Sequence, residues 1–155
     1  MVWVRPIAGK KLLGSAGRHS VVTDRKPADG GTDAGCTSGE LLLLAIGSCA
    51  TGSIRKALAA SGSPIDDIHV EVEFAPAKAQ HARDAILITA YLPQSALAGG
   101  AAPIAAAATA GGVVSRIVLG SEVEVRCRPI EDFPLPRANR TLNEKTSPTH
   151  RREKT

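Results

Sequence analysis

The sequence predicts an α+β fold in which strands pack against one central helix and a second, small-residue helix. Three observations carry that expectation. Residues 41–46 read Leu-Leu-Leu-Leu-Ala-Ile, apolar on every side of a helix, and a helix that is apolar all round is normally buried all round. Residues 68–74 and 85–92 alternate with period two: Val70, Val72 and Phe74 face away from His69, Glu71 and Glu73, while Ile86, Ile88, Ala90 and Leu92 share a face. An Ala-rich run over 104–119 then precedes a last alternating segment over 121–128. Helices on one face of a mostly antiparallel sheet satisfy this order.

Taken from the start, residues 2–7 alternate weakly, Val2 and Val4 against Trp3 and Arg5, and read as a short strand. Residues 14–17 read as a turn and 18–23 as a further short strand. Residues 26–35, rich in Asp, Gly and Pro, form a loop. The central helix is expected over 38–60. Thr37 is its cap, and Glu40 three residues on completes a capping box. Gly62 is the C-terminal stop, with Pro64 beyond it. Its apolar run is far shorter than the roughly 20 residues of a bilayer span, so it reads as a soluble core helix with no membrane role. Residues 78–84 are a hairpin loop and 93–102 a connector. Pro103 suits a first helical turn, and Gly111-Gly112 weakens the second helix.

The chain has 155 residues, which suits one domain, set at 1–131, followed by a polar tail over 132–155. Aromatics are only 3% of the residues, so the core must be built from Leu, Ile, Val and Ala. From Glu131 to the end there are six Lys/Arg against four Asp/Glu, about half of the net charge of +4. The body is therefore nearly neutral and offers no basic stripe for nucleic acid. Three cysteines without paired spacings argue against a zinc site and a disulfide framework. His19, His69, His81 and His150 are scattered, so no metal set and no cofactor is expected. Residues 1–11 are too polar for a signal peptide, and the cytoplasm is the expected compartment. One sheet leaves half of an all-round apolar helix bare; a second copy of the chain is the economical cover, and a homodimer is expected.

Cys49, mid-helix beside Gly47, Ser48, Gly52 and Ser53, is the one chemically loaded group of the central helix. It reads either as a small buried hydrophobe or as a nucleophile, which requires a cation close by. Cys127 alternates with valines and reads as core. Cys36, in a Gly-flanked loop at the helix N-terminus, reads either as a loop residue or as a second redox thiol. Along the helix it is some 13 residues, nearly 20 Å, from Cys49. Glu40 is read first as the reciprocal partner of the cap, since nine residues at 100° put it half a turn from the face of Cys49. Arg18 is read first as a charge at a strand end.

Residues 30–35, Gly-Gly-Thr-Asp-Ala-Gly, followed by SGELLLLAIGSC over 38–49, resemble the OsmC/Ohr superfamily. Its members carry a G-P-T-P-x-E-L-L-like run leading into a buried helix with a cysteine near its middle. The spacing from Glu40 to Cys49 matches the branch with E-L-L-L-A-A-L-A-x-C. The similarity covers roughly residues 15–128, and only the central-helix part is specific. It implies an intertwined homodimer with the two central helices in the middle, and a thiol peroxidase acting on organic hydroperoxides. In that reading Cys49 is the attacking thiol, Arg18 is placed where the activating arginine comes from, and Glu40 lies next to the activating glutamate, whose own position holds Gly39. The family's resolving cysteine would fall at Gly112, so a small external thiol or dithiol would have to resolve the oxidised Cys49. The alternative implied by the same departures is a catalytically inactive dimer, its pocket enlarged at Gly39 and Gly112 to bind a small apolar ligand.

Overall fold

A computed structural model describes residues 1–62, 67–75, 85–110 and 123–133. The fold is α+β, with two three-stranded sheets and one long helix. Strands β1 (Val2–Ala8), β2 (Lys11–Ala16) and β3 (His19–Thr23) form an antiparallel meander. Two-residue turns join them at Gly9-Lys10 and Gly17-Arg18, where the glycines take φ of 57° and 63°. Left-handed backbone at such turns matches the twist of the flanking strands and favours glycine. The expected turn over 14–17 is thus corrected: Gly14 pairs with Val4 and Val21 inside β2. Its missing side chain makes room, since a Cβ there would lie 3.2 Å from Cγ1 of Val21.

Helix α1 (Ser38–Ala60) has the expected bounds, and the Thr37–Glu40 capping box is formed. Thr37 Oγ1 accepts from the Glu40 amide at 3.2 Å, and the Thr37 amide donates to Glu40 Oε2 at 2.6 Å. At the far end Gly62, with φ of 73°, donates its amide to the carbonyl of Ala59.

The second sheet has β5 (Ala85–Leu92) between β4 (His69–Ala75) and β6 (Val123–Pro129). Three of the four strand pairings are antiparallel, as expected, but among the described residues the strands form two sheets where one is expected, and β6 runs parallel to β5. A parallel neighbour needs a crossover rather than a tight turn. Short α2 (Gln94–Leu97) and α3 (Ala101–Ala110) lie on that crossover, where a connector had been expected up to residue 102. The expected hairpin loop over 78–84, the Gly111-Gly112 weakening and the tail from residue 134 lie outside the described residues.

The core fills the space between α1, α3 and the β4–β5–β6 sheet. Ile46, Ala50, Ile54 and Leu58 of α1 meet Ile86, Ile88, Ala90 and Leu92 of β5, with Ile104 and Ala108 of α3. Those four α1 positions are one stripe at helical spacing. Leu42 and Leu44 remain 45% and 62% exposed, so within one chain α1 is covered on one side only. The N-terminal sheet is barer still, with Val2, Trp3, Val4, Ile7 and Val21 exposed.

β5 is buried on both faces. On its outer face, Tyr91 donates its hydroxyl to Glu71 Oε2 at 2.8 Å, and the ring of Phe133 meets Tyr91 edge-on. Phe133 also stacks on His69, with centroids 4.2 Å apart. Burial is the first cause that pushes the Tyr91 phenol up from its ordinary value, with the Glu71 carboxylate beside it second.

Candidate functional site

The chain between β3 and α1 is built around Asp24, a buried carboxylate. Its Oδ2 accepts from Thr32 Oγ1 at 2.7 Å, from the Thr32 amide at 2.9 Å and from the Ala34 amide at 3.2 Å, and its Oδ1 accepts from the Arg25 amide at 2.8 Å. These donors, the Thr32 hydroxyl first, hold Asp24 well below the usual carboxylate range. Two glycines let the loop close on itself. A Cβ on Gly31 would collide with the carbonyl of Arg25, and one on Gly35 with the carbonyl of Val22. The Asp24 amide donates to the Cys36 carbonyl at 3.3 Å, which fixes the loop against the start of α1.

That loop delivers Lys26 to the helix N-terminus. Its Nζ lies 2.9 Å from Asp33 Oδ1 and 3.2 Å from Glu40 Oε1. Glu40 is held below its ordinary value first by the Thr37 amide and then by Lys26. Lys26 is raised, first by Asp33 and then by Glu40.

Beneath these charges lies a cleft of about 730 Å³. Leu43, Leu44, Gly47, Ser48 and Thr51 of α1 form one wall, Val70 and Val72 of β4 another, and Cys36, Lys26, Asp33 and Glu40 the mouth. The α1 positions recur every three or four residues, as one helix face does. Gly47 belongs to it because α1 and β4 come close there; a Cβ would lie 3.1 Å from Cγ2 of Val72.

The three candidate catalytic residues are not gathered in one chain. Cys49 is half-buried and does not line the cleft. Nine residues along α1 put it about 13 Å from the level of Glu40 and half a turn round. Arg18 is exposed at the tip of the β2–β3 hairpin and, among the described residues, makes no ion pair or side-chain hydrogen bond. Glu40 is engaged in the cap and with Lys26. The other thiols are also separate. Cys127 packs against the core, with its Sγ 3.8 Å from the Ala101 carbonyl and its thiol pushed up by burial. Cys36 opens on the cleft, on the opposite side of α1 from Cys49. All three are free. Among the described residues no cluster of His, Cys, Asp and Glu has the makings of a metal site.

Sequence reasoning named neither Asp24 nor Lys26 as important. Apart from the adjacent Arg25 amide, their partners lie seven to fourteen residues away across an irregular loop, where no periodicity gives a signal.

The family model described as OsmC-like protein matches residues 30–128, a span that runs from the Asp24 loop through α1 to β6. The chain belongs to the OsmC-like family. Solved structures share the OsmC-like fold at low identity. An organic hydroperoxide resistance protein of Elizabethkingia anophelis, with thiocyanate bound, superposes with a TM-score of 0.63 at 11% identity, covering 83% of this chain and 94% of its own. An organic hydroperoxide resistance protein OsmC of Legionella pneumophila gives 0.55 at 11%, covering 83% and 95%. An OsmC-like protein of Mycoplasma pneumoniae gives 0.59 at 9%, with the same coverage. A search of curated protein sequences found no match. Helix α1 is long and apolar enough to cross a membrane by composition alone; in this OsmC-like chain its Ile46–Leu58 stripe is filled by β5 and α3.

Proposed function

We propose that this OsmC-like protein reduces organic hydroperoxides through a single attacking cysteine, Cys49, in the cytoplasm and as a homodimer. The observation that carries the reading is the place of Cys49. It is a free, half-buried thiol midway along α1, the long helix inside the span that the OsmC-like family model matches. Two of the solved structures with this fold are organic hydroperoxide resistance proteins.

The Cys49 thiolate attacks the distal oxygen of the hydroperoxide. An S–O bond forms, the O–O bond breaks, and the leaving alkoxide takes a proton to become the alcohol. The product is a sulfenic acid. An external dithiol then reduces it: one sulfur displaces water from Cys49, and the second sulfur releases the Cys49 thiol and closes its own disulfide. No second thiol of the same chain is assigned the resolving role, because Cys127 is half-buried with its Sγ on the Ala101 carbonyl and Cys36 faces the cleft across the helix.

A cation near Cys49 is needed to favour the thiolate. Arg18 is assigned that role, supplied by the second copy. The bare leucines of α1 and the exposed apolar residues of β1 motivate the dimer, since apolar patches of this kind mark interaction surfaces.

The test is intact-protein mass after one equivalent of cumene hydroperoxide without reductant. A gain of one or more oxygens, lost in Cys49→Ser, is expected. Turnover retained in Cys49→Ser overturns the assignment.

A second reading has its own observation. The cleft of about 730 Å³ beneath Lys26, with its leucine and valine walls, is of ligand size, and it favours a dimer that binds a small apolar ligand without chemistry at Cys49.

A further inference from the structure

We propose that residues 129–133 form a pH-sensitive strap over the outer face of the second sheet, closed by Phe133 on His69 and tightened when His69 takes up a proton. The proposal is independent of whether Cys49 reacts, and it uses none of the exposed apolar residues of α1 and β1 that motivate the dimer.

The strap starts where β6 stops. Pro129 is the last residue of that strand and has no amide to extend a ladder. A single 3₁₀ turn over Ile130–Asp132 follows, and the Phe133 amide donates to the Ile130 carbonyl at 3.0 Å. The turn carries Phe133 across β5 to β4. Its ring stacks on His69 with centroids 4.2 Å apart and planes 11° from parallel, and it meets the Tyr91 ring edge-on at 5.2 Å. His69 pairs with Tyr91 in the β4–β5 register, and Tyr91 pairs with Arg128 of β6. One aromatic side chain thus ties the end of β6 to the strand two places away, with Tyr91 buried beneath it. Opening the strap frees the end of β6, the strand that brings Cys127 to the core.

The proton acts through the stack. A neutral imidazole meets Phe133 as one ring on another, whereas an imidazolium within about 6 Å of the ring centroid adds a cation–π attraction. The surrounding charges favour the imidazolium. Nε2 of His69 lies 3.9 Å from Asp67 Oδ1, both side chains being exposed enough to leave the stack as the main contact. Glu71, next on the same face of β4, accepts the Tyr91 hydroxyl at 2.8 Å. Glu131 and Asp132 come from the strap itself, and Asp132 acts on the Tyr91 phenol. Against these four carboxylates stands Arg128, on the far side of Tyr91, two strand spacings or about 10 Å from His69. Histidine changes charge between pH 5 and 8, and the Tyr91 phenol is pushed up, away from that window.

The experiment compares the full chain with Phe133→Leu, which keeps an apolar side chain but removes the ring face, at pH 8 and pH 5.5. Alkylation of Cys127 by N-ethylmaleimide, read by peptide mass spectrometry, reports opening of β6. The ratio of the variant's rate to the wild-type rate at one pH cancels the thiol's own titration. That ratio should be about threefold larger at pH 5.5 than at pH 8, as expected of an exposed cation–π contact. The gap in melting temperature between the two proteins should widen in the same direction, since an attraction made by the protonated histidine is present at low pH and lost as pH rises. His69→Gln by itself should speed Cys127 labelling about threefold more at pH 5.5 than at pH 8, and in the Phe133→Leu background it should have no pH-dependent effect. A Phe133→Leu ratio that is equal at the two pH values, or smaller in acid, overturns the proposal. So does a His69→Gln effect that is the same at both.

Discussion

The ammonium of Lys26 lies 3.2 Å from Oε1 of Glu40, so the loop after β3 is fastened to the first turn of α1. The other Glu40 oxygen is held by the amide of Thr37. The carboxylate is thereby committed to the helix N-terminus, while Cys49 lies about nine residues on and half a turn round. Glu40 and Cys49 therefore serve different faces of one helix.

Thr37→Ala removes the hydroxyl half of the capping box. It is expected to cost about 1 kcal/mol, the usual worth of a threonine cap. Urea denaturation followed by circular dichroism measures it. Thr37→Ser should restore most of the loss, since the acceptor oxygen returns.

Acid should unlock the loop. Asp24 and Glu40 are both held below their ordinary values of 3.8 and 4.5. A carboxyl with a depressed folded-state value contributes stability that is present above its unfolded value and lost as pH falls through the folded one. The stability gap between wild type and Asp24→Asn should thus be widest near neutral pH and narrow below about pH 4. Melting temperatures across pH 7 to 3 give the comparison; a gap that widens toward acid contradicts the assignment.

The core stripe and the bare leucines should part company on mutation. Ile54 is fully buried, and Ile54→Ala should cost about 2–5 kcal/mol. Leu42 and Leu44 are exposed within one chain, so replacing both by glutamate should leave the monomer folded and shift sedimentation from dimer to monomer. A wild type that sediments as a monomer removes the dimer proposal.

The thiols should label in a fixed order. Cys127 is pushed up by burial and contacts the Ala101 carbonyl, and it should be the slowest of the three toward iodoacetamide at pH 7, read by peptide mass spectrometry. Raising the pH should speed it. Cys127 labelling ahead of Cys36 would contradict its packing against α3.

The sequence by itself determined the helix and most of the strands. The bounds of α1 follow from Thr37, Glu40 and Gly62, because capping is chemistry between neighbours in the chain. The faces of β4 and β5 follow from alternation, because a strand turns its side chains over every residue. The family resemblance was legible for the same reason: the run into α1 is contiguous. Only the tertiary structure decided the rest. Alternation in β6 looks identical whether the strand runs parallel or antiparallel, so its direction waited on the crossover through α3. The turn expected at Gly14 was a strand because two glycine hairpins, at Gly9 and Gly17, already reversed the chain. Nothing local marks Asp24 as the centre of a loop, for its donors at Thr32 and Ala34 come from beyond a turn. Lys26 meets Glu40 only when that loop closes, and the cleft exists only where α1 and β4, more than twenty residues apart, come into contact at Gly47 and Val72.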